Sequence, residues 1–244
     1  MKIMLVMWIQ KVFGYFGFQV RRLSQNVSLI SALDEQIRLA GEDTAVVVEV
    51  GAADGRDSMI YAERCPGARI IAYEPIPESF NKLAALASGE SRLIPVNSAV
   101  SNNNGSTVMY RTNQVDSSSL LKPIDNNDTL SKYHKIDELI TVQTVRLDED
   151  MNRLKVDKID ILKIDAQGAE LEVLESLGCF LSEGRIKVIY AEVGFKDLFE
   201  GGVLYHDLAN YLVGFGYQLH SFYDLVHLPN GTLAWGDAIF VRAQ

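Results

Sequence analysis

The chain has 244 residues, of which 48% are hydrophobic and 23% charged, a size and balance that suit one α/β domain with a full core and one inserted subregion. Its formal net charge of −9 weighs against a broad nucleic-acid surface, which needs clustered Lys and Arg. Two cysteines, Cys65 and Cys179, stand far apart without paired spacing, which argues against a disulfide framework or a zinc site and suits a reducing cytosol.

Residues 1–30 form a segment of their own. Lys2 precedes an apolar run from Ile3 to Ile9, and an aromatic stretch with Phe13, Tyr15, Phe16 and Phe18 ends at Arg21 and Arg22. The run is too short and too interrupted to span a bilayer, and it lacks a clear small-x-small cleavage site. Three roles stay open for it: a helix that packs on the domain or a partner subunit, an interfacial helix touching anionic lipid through its arginines, or a cleaved signal.

Residues 31–244 read as one domain. Ile30, Leu33, Ile37 and Ala40 recur at helical spacing, with Gly41 as the stop. Val46 to Gly55, VVVEVGAADG, is an apolar run suited to a strand buried on both faces, followed by a glycine turn. A helix over 57–64, a strand over 69–73 closed by Glu74, a helix from Pro77 to Ala87 and a strand over 92–96 continue the alternation. Asn102–Asn103–Asn104–Gly105 then marks a turn, and the stretch of about 101–145 reads as a β-rich insertion and mobile cover, with strands at 108–110 and 141–145. Alternation resumes with strands at 159–164 and 186–191 around a helix at 169–177, and a helix at 204–214 follows. The last strands, 217–222 and 238–242, are joined by a loop with Pro229, Asn230 and Gly231 that leaves no room for a crossover helix. The expected fold is Rossmann-like α/β: a mostly parallel seven-stranded sheet ending in an antiparallel hairpin, with the insertion after the third strand.

In such a sheet ligands bind beyond the carboxyl ends of the strands, and four acids fall there: Glu49, Glu74, Asp165 and Glu192. A lone acid at a strand end is commonly a helix cap or a solvated loop residue; four in succession around a glycine turn point to a ligand. The turn, Gly51-Ala52-Ala53-Asp54-Gly55, lacks the Gly-x-Gly-x-x-Gly spacing that holds a pyrophosphate. Its acids repel a diphosphate and suit a cationic, ribose-bearing ligand, which disfavours a nicotinamide-dependent oxidoreductase.

Four blocks in this order resemble the FkbM-type S-adenosylmethionine-dependent methyltransferases: VVVEVGAADG, ARIIAYEPIPESFNKL, the insertion ending TVRLDED, and DILKIDAQGAELEVLESL. The resemblance covers about 46–242. Where the family often has Asn and an acid, this chain has Ala53 and Gln167. The resemblance implies the class I methyltransferase fold with S-adenosyl-L-methionine as cofactor. Gly51, Ala52 and Gly55 would approach its methionine part, Glu49 its ammonium, Glu74 its ribose hydroxyls and Asn97, Ser98 and Ala99 its adenine. Asp54, Pro75 and Asp165 complete the expected cofactor shell.

Asp165 is also the acid nearest to where a methyl group would emerge. An alcohol acceptor needs a base or a metal; Asp165, Glu192 and, in the insertion, His134 are the candidate catalytic groups. Mg²⁺ between Asp165 and Glu192 is not expected, because two carboxylates are too few to demand it. Asp116 and Ser117–Ser119 stand as hydrogen-bonding groups for a hydroxylated substrate or as a solvated loop.

The Asn-Pro-Pro-Tyr type of tetrapeptide of nucleic-acid amino-methylating enzymes is absent, with Asp165-Ala166-Gln167-Gly168 in its place. The resemblance therefore implies O-methylation of a sugar, glycan or natural-product hydroxyl, in a cytoplasmic protein that touches the membrane peripherally if at all and is free to form a homo-oligomer. The alternative from another class is an inactive methyltransferase-like binding subunit of a membrane-associated assembly.

Overall fold

The computed structural model describes Lys11 and residues 31–125 and 134–243. The chain divides into two units, Met1–Ser31 and Ala32–Gln244. The expected membrane-facing or packing role of residues 1–30 lies outside the described residues, and so does the centre of the insertion. No helix among the described residues is long and apolar enough to cross a membrane.

A seven-stranded sheet has the order β3-β2-β1-β7-β8-β10-β9. Its strands are β1 (Val46–Val50), β2 (Arg69–Tyr73), β3 (Leu93–Val96), β7 (Ile159–Ile164), β8 (Ile186–Gly194), β9 (Tyr217–His227) and β10 (Leu233–Arg242). The first five run parallel, and β10 runs antiparallel to both β8 and β9. This is the expected Rossmann-like arrangement with a closing hairpin. The strand order reverses at β1, which places the ligand crevice between the ends of β1, β2 and β7.

Alternating strand residues feed two apolar layers. Val48 and Val50 of β1 pack with Leu147 and Met151 of α4 (Leu147–Arg153), Val173 and Leu174 of α5 (Glu170–Glu175), and Leu208 and Leu212 of α6 (Tyr205–Val213). Val47 faces the other way, towards Ala40 of α1 (Ala32–Ala40), Tyr61 of α2 (Arg56–Arg64) and Leu83 of α3 (Pro77–Ala87). The short α4 was not anticipated from sequence; three acids in its first turn complement the helix dipole.

The insertion forms a separate three-stranded sheet, in which β6 (Ile136–Val145) pairs parallel with β4 (Ala99–Val100) and antiparallel with β5 (Gly105–Thr112). Its strands outrun the expected 108–110 and 141–145, because most of their residues face solvent and carry no apolar alternation. Met109 and Val142 bury against Ile76 and Ala99, which seats this sheet beside the β2 and β3 ends.

At the centre of the main sheet Glu49 lies opposite Lys163, and the Lys163 ammonium donates to Glu49 Oε1 at 2.9 Å and to Asp57 Oδ2 at 2.6 Å. The Ser58 hydroxyl donates to the other Glu49 oxygen. Burial opposes the ammonium, but Glu49, Tyr61, Asp57 and Asp165 outweigh it and hold Lys163 well above its usual value. Lys163→Met leaves Glu49 buried without its counter-charge, and urea denaturation should show a loss of about 3–5 kcal/mol. Glu49→Leu combined with Lys163→Met should recover most of it. A single-variant loss under about 1 kcal/mol would remove the pair from its structural role.

Candidate functional site

A cleft with about 680 Å³ of empty space, its open mouth included, lies beyond the ends of β1, β2 and β7. Its floor is Gly51, Ala53 and Glu74, one wall is Ser98, Ala99 and Met109, and another is Asp165 and Gln167. Val115, Asp116, Ser118 and Leu120 also line it, so the insertion is part of the wall. Every charged side chain of this lining is a carboxylate: Glu74, Asp116 and Asp165. That suits a cationic ligand and repels a phosphate.

Gly51 has φ +80, and a Cβ there would run into the carbonyl oxygen of Asp165. What needs the glycine is thus the chain's own backbone, since β1 and β7 close together at this point: Asp165 N–H donates to Val50 at 2.9 Å. Ala53 takes the left-handed conformation at φ 47, and its N–H donates to Glu74 Oε2 at 2.9 Å while that of Ile76 donates to Oε1 at 2.7 Å. These bonds aim the Glu74 carboxylate and lower its pKa, but burial dominates and pushes it up to about 7.

Of the expected cofactor shell, Gly51, Glu74, Pro75, Ser98, Ala99 and Asp165 line the cavity. The others do not reach its wall. Glu49 is bonded to Lys163 and Ser58, on the same face of β1 as Val47, and is not part of this lining. Ala52 is buried in the core. Asp54 is paired with Arg56 at 2.8 Å. A Cβ on Gly55 would meet Leu83, so that glycine serves the approach of α2 to α3. Asn97 acts one step back, donating from Nδ2 to the Glu74 and Pro75 carbonyls at 2.8 and 3.2 Å.

A second cavity, of about 1,150 Å³, adjoins the first, and Asp116 and Gln167 line both. Glu192 and His134 line the second and not the first. The three candidate catalytic groups are therefore divided, with Asp165 on the first cavity and the other two on the second. His134 packs edge-on to Phe199 with ring centroids 5.3 Å apart.

Gln167, with φ 51, stands between the acids. Its Nε2 donates to Asp165 Oδ1 at 2.8 Å and to Glu192 Oε2 at 2.7 Å. Burial raises the pKa of Asp165, opposed by Lys163 and by the Gln167 bond. Burial also raises Glu192 well above its usual value, reinforced by the charges of Asp165, Glu170 and Asp237. Among the described residues no group of three His, Cys, Asp or Glu side chains is placed to hold a metal ion.

Sequence reasoning missed Gln167 as a shared donor, because an amide between two acids is visible only once β7 and β8 are neighbours. It also missed Trp235 and Phe199 on the second cavity. The hairpin carried a signal for Trp235: an antiparallel β10 must begin where the parallel strands end, and Trp235 lies opposite Gly194 at the end of β8.

Gln167→Leu should raise the Asp165 titration by about one pKa unit or more, since a hydrogen bond to a charged group contributes about 1.5–3 kcal/mol. Carbon-13 NMR of the carboxyl groups reads this directly, and an unchanged titration would show that the amide bridge does not hold in solution.

The chain was compared with known proteins. The model of the methyltransferase FkbM domain matches residues 49–219. The chain is 25% identical over 171 residues to the 2-O-methyltransferase NoeI of Sinorhizobium fredii, covering 68% of this chain and 70% of that one. It is 27% identical over 186 residues to the hexuronic acid methyltransferase AglP of Haloferax volcanii, covering 74% and 69%. A solved 1,6-didemethyltoxoflavin-N1-methyltransferase of Burkholderia thailandensis is 17% identical with a TM-score of 0.40, covering 82% of this chain and 72% of that one. The domain match spans well over half of the chain, and the chain belongs to the FkbM family of S-adenosylmethionine-dependent methyltransferases.

Proposed function

We propose that the protein methylates a sugar hydroxyl on oxygen, with the cofactor in the first cavity and the acceptor in the second. The observation that carries this reading is the pair of cavities meeting at Asp116 and Gln167, with Asp165 on one side and Glu192 on the other. The two relatives named for 2-O-methyl and hexuronic acid methyl transfer support a sugar as the acceptor class.

The first cavity fits S-adenosylmethionine by its charge and its buried, aimed carboxylate. The bound cofactor supplies an electrophilic methyl group on a sulfonium. Glu74 would accept hydrogen bonds from the ribose diol, Ser98, Ala99 and Pro75 would border the adenine, and Gly51 would border the methionine part. Asp165 faces the positive end of the ligand. Methyl transfer depends mainly on alignment and water exclusion, and the wall formed by Val115 and Leu120 serves the second of these.

The acceptor's proton needs a place to go. Glu192 is our candidate base, with its Oε2 held by Gln167 and its residue lining the second cavity. Its raised pKa makes it a stronger base than an ordinary carboxylate once ionised, and ionisation is favoured as pH rises. His134 lines the same cavity and is the second candidate for this role.

Two tests follow from these roles. With S-adenosylhomocysteine release followed over a panel of sugar acceptors, Glu192→Gln should lose on the order of 10²–10⁴-fold in turnover while titration calorimetry shows cofactor affinity kept. Turnover within fivefold of the parent would hand the proton to another group, and failure to bind the cofactor at millimolar concentration would remove the whole reading. For Glu74, a carboxyl that titrates near 7 is protonated at pH 6 and ionised at pH 8. Only the ionised form accepts from both ribose hydroxyls, so cofactor affinity should fall about tenfold from pH 8 to pH 6. Glu74→Gln should bind weakly with no such dependence; the same slope in that variant would assign the titration elsewhere.

A further inference from the structure

The second cavity carries chemistry of its own. It is bounded by β8, by the β9–β10 hairpin and by the insertion, and the aromatic side chains of its apolar part are Trp235 and Phe199, beside Leu198, Val226, Leu228 and Pro229. Trp235 is half-buried and lies opposite Gly194 of β8 and Val226 of β9, so two neighbouring strands hold its backbone. Phe199 is buried, and Gly168 makes room for it: a Cβ on that glycine would come within 2.8 Å of the Phe199 ring. The polar part is Asp116, Gln167 and Glu192, with His134 beside Phe199.

An indole surface beside a carboxylate and an amide matches the two chemistries of a pyranose. The ring carries an apolar C–H face that packs on an aromatic side chain. Its rim of hydroxyls donates to carboxylates and exchanges hydrogen bonds with amides. The charges decide further. Among the described residues of this lining Asp116 is an exposed carboxylate, and Glu192, a carboxyl that burial holds well above its usual value, adds no positive charge. Lys196 lines a smaller cavity of about 360 Å³ that shares Glu192, Leu198, Phe199 and Trp235 with this one but does not line this one itself. A sugar bearing its own carboxylate would meet like charge here, which is the unfavourable element that specificity uses.

Resting on the reading of this cavity as the acceptor side, we propose that it is a subsite for an uncharged pyranose stacked on Trp235, and that it selects against uronic acids. This separates the chain from the hexuronic acid specificity in the name of one relative.

The test is titration calorimetry of the full chain, saturated with S-adenosylhomocysteine, at pH 8, where a histidine of ordinary basicity is uncharged. The probes are neutral methyl hexopyranosides and the matching methyl hexuronides. The neutral sugar should bind at least tenfold more tightly than its uronide. Trp235→Ala should weaken the neutral sugar at least tenfold with S-adenosylhomocysteine affinity unchanged, and Trp235→Phe should restore most of it. Asp116→Arg, a change at an exposed position, should narrow the gap between the two sugars or reverse it. Equal or tighter uronide binding in the parent, sugar affinity indifferent to Trp235, or no sugar binding by a chain that binds S-adenosylhomocysteine would each overturn the proposal. Failure of S-adenosylhomocysteine itself to bind would strike the cofactor reading instead, and the two failures are thereby distinguished.

Discussion

The ion pair between Glu49 and Lys163 is the constraint on which the site depends. Each charge is buried one residue from the carboxyl end of a central parallel strand, where apolar residues would pack at less cost in desolvation. Each finds its partner directly across the β1–β7 pairing, with Asp57 and Ser58 adding contacts from the first turns of α2. A one-residue slip between β1 and β7 would turn one of them to the opposite face and leave two buried charges unmatched. The pair thus sets the register of the two strands. It also sets the functional ends, because Gly51 and Asp165 each lie two residues further along the same strands.

That register explains a close approach that would otherwise look like a ligand cradle. The Gly51 backbone meets the Asp165 carbonyl, and the strand ends converge. Glu74, pinned by the Ala53 and Ile76 amides, points into the space beyond them. From β7 onwards the chain leaves the first cavity. Gln167 turns through a left-handed conformation and ties Asp165 to Glu192 of β8, so one amide marks the border of two cavities. Two acids in one coupled network can serve different partners, because each faces a different cavity.

The insertion completes the border from the other side. Its sheet is held by a small apolar cluster, Ile76, Ala99, Met109 and Val142, and its remaining strand residues are largely exposed. Asp116 follows directly from this seating and lines both cavities. The piece of chain that was hardest to read as sequence therefore supplies wall to both compartments.

Sequence by itself determined the architecture and the cofactor class. Buried parallel strands are near-continuous apolar runs, glycine turns and acids at their ends are local features, and a short Pro-Asn-Gly loop forces an antiparallel hairpin; all of these are written in neighbouring residues. It also named Glu74, Ser98, Ala99 and Asp165, which line the first cavity beyond the strand ends. Only the tertiary structure decided between Glu49 and Glu74, two acids with equivalent local settings. Glu49 lies inside its strand and meets a lysine 114 positions away in sequence, whereas Glu74 lies past the end of its own and meets backbone amides. In the same way the division of Asp165 from Glu192, the bridging role of Gln167 and the place of Trp235 depend on which strands become neighbours. Those are contacts between distant residues, and no local pattern of the chain encodes them.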